Sequence, residues 1–80
     1  MKICQDLYMD ALYTFTNEDG EQVQRFLLTF IGEENNRYDI EMDLTDECYF
    51  EFVDGHENIT AEDRQRLFYL LDRWAINNII

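Results

Sequence analysis

Three acidic residues, Asp39, Glu41 and Asp43, occupy every second position of one stretch, where they could together bind a cation or a basic protein surface. The residues that alternate with them are apolar: Tyr38, Ile40, Met42 and Leu44. A period of two predicts a strand with one apolar and one acidic face. Same-face residues of a strand lie roughly 6.7 Å apart, so the carboxylates should form a line. Further acidic residues extend or flank it: Asp46, Glu47 and Glu51.

The acidic line does not match a metal-binding motif. An EF-hand calcium loop needs glycine at its sixth position and glutamate at its twelfth, where a loop starting at Asp39 would have Leu44 and Phe50. Cys4 and Cys48 have neither the CxxC spacing nor the additional histidines of a zinc site. We therefore predict no metal, no cofactor and two free thiols.

Catalysis would depend on Cys48 and His56, because the sequence has a single histidine and no serine. A nucleophilic cysteine needs a base within hydrogen-bonding distance, and a glycine-containing loop separates these two residues. Paired catalytic carboxylates need a cleft that moves their pKa values apart, which a small meander with acids on its open face hardly offers. We predict that the protein is not an enzyme.

The net charge of −12 arises from 18 acidic and 6 basic residues in a chain of 80. Binding to nucleic acid requires Lys and Arg to neutralise phosphates, and anionic membranes attract basic segments, so both are disfavoured as ligands. Between Glu33 and Glu57, ten acidic residues accompany a single Arg or Lys, Arg37. Like charges in a cluster cost stability, which favours a role in binding a basic partner.

The spacing of the acidic line also suggests what kind of partner it fits. Duplex DNA carries a phosphate about every 3.4 Å along each strand, so carboxylates on a strand give a comparable, sparser row of negative charge. We predict a protein that blocks a basic nucleic-acid-handling partner. The residues expected at the contact are Asp39, Glu41, Asp43, Asp46, Glu47 and Glu51, with Tyr49 as an aromatic anchor.

In size and charge, the chain resembles the small, very acidic phage-encoded proteins that disable host defence: anti-restriction proteins, anti-CRISPR proteins and uracil-DNA glycosylase inhibitors. These groups share bulk character rather than a motif, so no residue is carried over from them. The resemblance implies a stoichiometric inhibitor of a nuclease or CRISPR effector in the host cytoplasm. It also implies association that is steered by charge and sensitive to salt.

The first elements that would position the acidic line form a predicted hairpin. Asp19-Gly20 between two aromatic-rich runs is typical of a two-residue type I′ turn. It would join strands at about residues 7–16 and 22–31, although the start of the first run also fits helical spacing. A two-residue loop sets these cross-strand pairs: Tyr13 with Phe26, Ala11 with Leu28, and Thr14 with Arg25.

The rest of the chain predicts further strands and a helix. A turn at 32–36 precedes the acidic strand 37–44, and 45–53 is either a short helix or, as its aromatic content favours, a fourth strand. That strand would point Cys48, Phe50 and Phe52 inward. Thr60 is a suitable N-cap for a helix with an apolar stripe: Leu67, Leu70, Leu71 and Trp74. We predict one α+β domain over residues 1–80, a three- or four-stranded antiparallel meander with one C-terminal helix packed across one face.

The end of this helix supports an alternative function. The apolar residues there are Trp74, Ile76, Ile79 and Ile80. Through them a small structural or regulatory module could self-associate as a homodimer, and the acidic residues would then serve only to keep the protein soluble. The N-terminus lacks the pattern of a signal peptide, and no run approaches the ~20 apolar residues of a membrane span. We therefore expect a cytoplasmic location.

Overall fold

The computed structural model describes residues 1–45 and 50–78. Within them, one antiparallel sheet has its strands in chain order and is followed by one α-helix. The elements are β1 (Lys2–Cys4), β2 (Leu7–Thr16), β3 (Gln22–Ile31), β4 (Arg37–Leu44), β5 (Phe50–Asp54) and α1 (Ala61–Asn78). The predicted α+β meander with a C-terminal helix is confirmed. Its additional strand is β1, which is too short to show a periodicity in the sequence.

The helix covers one face of the sheet, which we call the inner face. The core contains the apolar residues of β3 and β4 together with the buried face of α1: Phe26, Leu28, Phe30, Ile40, Met42, Leu67, Leu71 and Ala75. Trp74 meets Phe26 edge to face at 5.6 Å between ring centroids. In the described part of the chain, no helix has the length and apolar character needed to cross a membrane.

The strand favoured for 45–53 is confirmed at its C-terminal part. Phe50 is buried, and Phe52 packs against the core from β5. Cys48, the third residue predicted to point inward, lies outside the described residues together with 46, 47 and 49.

The predicted hairpin register is wrong by one residue. The observed pairs are Tyr13 with Arg25, Ala11 with Leu27, and Thr14 with Gln24. The loop has three residues, 18–20, because the Asn17 N–H donates to the Glu21 carbonyl at 2.9 Å. The Asn17 side chain also accepts the backbone N–H groups of Asp19 and Glu21. Gly20, at φ +82°, supplies the left-handed residue that ends such a loop.

A buried carboxylate joins the start of α1 to the connection between β3 and β4. Thr60 caps the helix as predicted, with its Oγ1 accepting the Asp63 N–H at 3.1 Å. The Asp63 side chain, from a residue only 1% exposed, accepts the Tyr38 hydroxyl at 2.8 Å and the Glu33 backbone N–H at 3.0 Å. Gly32 lies so close to this carboxylate that a Cβ there would overlap it. The contact fixes the helix against β4, the strand that carries the acidic line.

The Tyr38–Asp63 hydrogen bond predicts a loss of stability at alkaline pH. This bond, and then burial, raise the pKa of Tyr38 above its ordinary value of 10.0. Above pH ~10 the unfolded chain loses the phenol proton while the folded chain keeps it, so the contribution of Tyr38 to stability falls as pH rises through the folded pKa. Tyr38→Phe should be less stable than the native chain at pH 8, and this difference should narrow above pH 10. Urea unfolding of both chains across this range measures it, and a constant difference would contradict the expectation.

Candidate partner-binding face

The predicted acidic line lies on β4, on the face of the sheet opposite α1, which we call the outer face. Residues of β4 that point inward are buried, while Asp39 is exposed and Glu41 and Asp43 are half-buried. Their cross-strand partners on β3 are Thr29, Leu27 and Arg25, in that order. Directly opposed residues share one face of a sheet. The three carboxylates therefore form the row that the alternation predicted.

Strand β5 adds a second row of acids directly opposite the first. Glu41 pairs with Asp54, and Asp43 pairs with Glu51. Opposed residues on neighbouring strands have Cβ atoms about 4.5–5.5 Å apart, and like charges at this separation destabilise a sheet. Within the described residues, no Lys or Arg nitrogen lies within 4.0 Å of Glu41 or Asp54. Their mutual repulsion is therefore not relieved by an ion pair in that part of the chain.

Strand β2 contributes a further acid, Asp10, through an irregularity in its pairing. The register shifts between Met9 and Ala11, so Asp10 occupies the extra position of a bulge, a device that redirects a side chain. The Thr29 hydroxyl donates to Asp10 Oδ2 at 2.5 Å and lies 3.4 Å from Asp39 Oδ1. A hydroxyl has one proton to donate, so the shorter contact to Asp10 takes it, and Asp39 receives no hydrogen bond from Thr29.

The acids of the three strands surround a depression of about 340 Å³ in the outer face. Its rim carries Asp10, Asp39, Glu41 and Asp54. Leu27, half-buried, contributes to the apolar part of its wall. Within the described residues, no group of three or more Asp, Glu, His or Cys side chains is arranged to hold a metal ion. A depression with an apolar wall and an anionic rim suits a long cationic side chain, whose methylene groups bury while its charged end meets carboxylates.

Two arginines on the outer face neutralise part of this charge. Arg25 binds Asp43 through two bonds, Nε–Oδ1 at 2.8 Å and Nη2–Oδ2 at 3.0 Å. The hydrogen bond to Asp43 raises the pKa of Arg25 against the opposing effect of burial. Arg37 lies 3.3 Å from Asp39, but both side chains are well exposed at 66% and 71%, where an ion pair is weak. The charge of Asp43 is therefore neutralised by an ion pair within the protein, and the charge of Asp39 is neutralised much less.

The charge is distributed asymmetrically between the two layers of the fold. Helix α1 carries three acidic and three basic residues and is neutral. One of the basic residues, Arg66, pairs with Asp6 at 3.1 Å. The net charge of −12 thus belongs to the residues outside the helix. We use the term acidic face for the carboxylates that the three strands bring to the outer face: Asp10, Asp39, Glu41, Asp43, Glu51 and Asp54.

The comparison with known proteins adds no relative. No protein-family model, curated protein or solved structure matches the chain. The function of the acidic face is therefore inferred from its geometry and charge.

The predicted contact residues are only partly brought together by the described structure. Four of them lie on the acidic face: Asp39, Glu41, Asp43 and Glu51. The other three, Asp46, Glu47 and Tyr49, lie outside the described residues. Asp10 and Asp54 were missed. Asp10 was missed because an alternating pattern in one strand does not reveal a bulge. Asp54 was missed because it lies one residue beyond the predicted strand 45–53, whereas β5 includes it.

His56, one of the two residues considered for catalysis, packs instead as an aromatic ring. It stacks on Phe52 with ring centroids 4.6 Å apart and planes 10° apart. Its Nδ1 is buried, and no described residue hydrogen-bonds to it. Since Cys48 lies outside the described residues, the geometry of a Cys–His pair is not defined.

Proposed function

We propose that this protein is an acidic inhibitor that binds a basic nucleic-acid-handling partner, such as a nuclease or a CRISPR or restriction effector, and blocks it. The acidic face would occupy the site where the partner holds phosphates and so act as a DNA mimic. The partner would be a protein, and the acidic chain itself would make no direct contact with nucleic acid or membrane. The association would be non-catalytic and need no cofactor.

The opposed acidic pairs of β4 and β5 carry the proposal. A sheet that served only for solubility would gain from intermingled Lys and Glu, whereas Glu41 faces Asp54 across the strands. Such a pair lowers the stability of a small domain that has little to spare. Features that cost stability are commonly found at sites of function, where binding compensates for them. A cationic group from a partner would relieve this repulsion on binding.

The depression beside this pair indicates how the partner would be anchored. An arginine or lysine of the partner would insert its apolar stem against Leu27 and place its charged end among Asp10, Glu41 and Asp54. Arginine suits the site best, because its planar fork forms paired bonds to carboxylates. Asp43 would contribute least, since Arg25 already binds both of its oxygens.

A pair of charge-matched variants tests the proposal. The first neutralises three residues of the acidic face, Asp39→Asn, Glu41→Gln and Asp54→Asn. The second neutralises the three exposed acids of the hairpin turn, Glu18→Gln, Asp19→Asn and Glu21→Gln. Both remove the same net charge. Each immobilised chain is used to capture basic proteins from a lysate, and displacement of labelled duplex DNA from the purified captured protein is then measured.

The acidic-face variant should bind the captured protein about tenfold or more weakly, because three carboxylate contacts of up to about 1 kcal/mol each are lost. The turn variant should bind within about twofold of the native chain. The acidic-face variant should also melt at a higher temperature, since the repulsion between β4 and β5 is relieved. Equal binding by the two variants, binding indifferent to salt, or a captured protein that keeps its DNA would contradict the proposal.

A second function is favoured by the exposure of one residue at the end of α1. Ile76 is 64% exposed. The C-terminal half of α1 also borders a groove of about 330 Å³ between β1 and the helix, lined partly by Ile3, Cys4 and Trp74. Trp74 itself is half-buried against the core, and Ile79 and Ile80 lie outside the described residues. In this alternative, the chain is a structural or regulatory module that self-associates through the helix end, and a chain ending at Asn78 should not associate.

A further inference from the structure

The outer face of the sheet changes character from β2 to β4. Directly opposed residues share a face, so the strand pairing defines rows of side chains that cross the outer face. Three such rows are Tyr8–Thr29–Asp39, Ala11–Leu27–Glu41 and Tyr13–Arg25–Asp43. Every row begins with an uncharged residue on β2 and ends with an acid on β4. The acids therefore occupy one side of this face, and uncharged side chains occupy the other.

The uncharged side is largely aromatic and aliphatic. We use the term apolar strip for the residues that β2 and β3 bring to it: Tyr8, Ala11, Tyr13, Phe15, Val23 and Leu27. Tyr8 and Tyr13 are 37% and 47% exposed. The guanidinium carbon of Arg25 lies 4.8 Å from the centroid of the Phe15 ring. Leu27 also lines the depression that the acids surround, so the apolar strip and the acidic face meet there.

The outer face has no layer of secondary structure over it in residues 1–45 and 50–78, because the one α-helix of that part packs on the inner face. Single apolar residues on a surface are ordinary, whereas adjoining ones edged by polar residues mark interaction sites. A surface that is apolar along β2 and anionic along β4 fits a partner that is apolar on one side and cationic on the other. A second copy of this chain does not fit, because its own outer face carries the same acids.

We infer, on the basis of the proposed function, that the outer face binds a basic amphipathic helix of the partner. Apolar residues of this helix lie on the apolar strip, and its Lys or Arg residues reach the acidic face. The outer face offers side chains rather than backbone groups, so a bound segment must satisfy its own backbone hydrogen bonds. A helix does so, and a single extended strand does not.

The width of the surface also suits a helix. Neighbouring strands lie about 4.8 Å apart, so β2 and β4 are separated by about 10 Å, and a helix with its side chains is about 10–12 Å wide. A helix above β3 therefore touches the apolar strip on one flank and the acidic face on the other. Contacts of the acidic flank weaken as salt screens them, whereas burial against the apolar strip does not depend on charge. The apolar strip thus supplies the preference for an amphipathic helix, and the acidic face supplies the attraction for any basic chain.

Three labelled peptides of one composition, Lys, Leu and Ala, test the inference by fluorescence anisotropy with the whole chain. Each has about 18 residues, which form a helix about 27 Å long. The first places Leu and Lys on adjoining sides of a helix, the second alternates them with the period of a strand, and the third has no period. The helical peptide should bind at least about tenfold more tightly than either of the others, because only it presents its Leu residues together beside its charges.

Variants of the chain separate the two contributions. Tyr8→Ser with Tyr13→Ser should weaken the helical peptide at least about fivefold and leave the aperiodic peptide within about twofold. Tyr69→Ser, at a tyrosine of α1 that is 57% exposed, is the matched control and should bind all three peptides as the native chain does. The triple acidic-face variant should weaken all three by similar factors and so keep the preference. Circular dichroism of each variant checks that it is folded, and an unfolded chain would also lose the aperiodic peptide.

Several outcomes would overturn the inference. They are a helical peptide that binds no more tightly than the aperiodic one, tightest binding by the peptide with the period of a strand, and a preference that survives Y8S with Y13S or is lost equally in Y69S. None of them concerns displacement of DNA, so the acidic face could still block a basic partner by charge alone. A captured protein that keeps its DNA contradicts only the proposed function.

Discussion

Replacing Asp63 by alanine should lower the free energy of unfolding by about 2 to 4 kcal/mol. The substitution leaves a buried donor, the Tyr38 hydroxyl, and a partly buried one, the Glu33 N–H, without their acceptor. The buried loss costs about 1 to 3 kcal/mol and the partly buried one adds about 1 kcal/mol. In a domain of this size, the melting temperature should fall by roughly 10 to 25 °C. Thermal and urea unfolding followed by circular dichroism measure the change.

Two further substitutions in the first turn of α1 show whether the effect comes from these contacts. Glu62→Ala removes a neighbouring exposed acid and should cost less than about 1 kcal/mol, the usual value of a charge at a helix end. Asp63→Asn should recover part of the loss, because its amide oxygen can accept the Glu33 N–H while its nitrogen donates to the Tyr38 oxygen. If Asp63→Ala is no more harmful than Glu62→Ala, the buried carboxylate does not hold the helix to the sheet.

Gly55→Ala should be the most disruptive single change near the acidic face. Gly55 has φ +83°, and a Cβ there would overlap the Asp39 carbonyl oxygen and lie 3.1 Å from the Ile40 Cα. The obstacle is backbone of β4, so the strands must move apart. The left-handed backbone costs about 1 to 2 kcal/mol for alanine, and the overlap adds about 1 to 3 kcal/mol. A total loss near 3 kcal/mol is expected in urea unfolding.

Gly20→Ala is the control for this prediction, because it shares one of the two costs. Gly20 has φ +82°, but nothing lies within 4 Å of a Cβ built there. Gly20→Ala should therefore lower the free energy of unfolding only by the cost of the left-handed backbone, about 1 to 2 kcal/mol. Equal losses at the two glycines would mean that the approach of Gly55 to β4 is not a constraint. A larger loss at Gly55 would show that its close approach to the backbone of β4 constrains the fold.

Local patterns were sufficient to predict most elements of the fold. The alternation around Asp39 predicted β4 and its acidic side, and Thr60 predicted the start of the helix; both are confirmed. The hairpin was predicted with the wrong loop length. Asp19-Gly20 is compatible with a two-residue or a three-residue loop, and the side-chain bonds of Asn17 that accompany the longer loop have no periodic signal in the sequence.

The candidate site was predicted less completely than the fold. The row of acids on β4 follows from alternation with a period of two. This pattern lies within a single strand and can be recognised without knowing which strands lie beside it. Which residues face it depends on registers and bulges, as for Asp54 opposite Glu41 and Asp10 beside Thr29. The depression between them therefore could not be predicted from any one segment.

By itself, the sequence determined the net charge, the alternation that gives β4 one acidic side, and the capped amphipathic helix, because these are properties of neighbouring residues. The tertiary structure alone decided that a second row of acids opposes the first and that Asp63 is buried as a link between helix and sheet. Each of these depends on how strands and helix are placed side by side. Such placement is set by packing and backbone pairing between residues far apart in the chain, which no local pattern records.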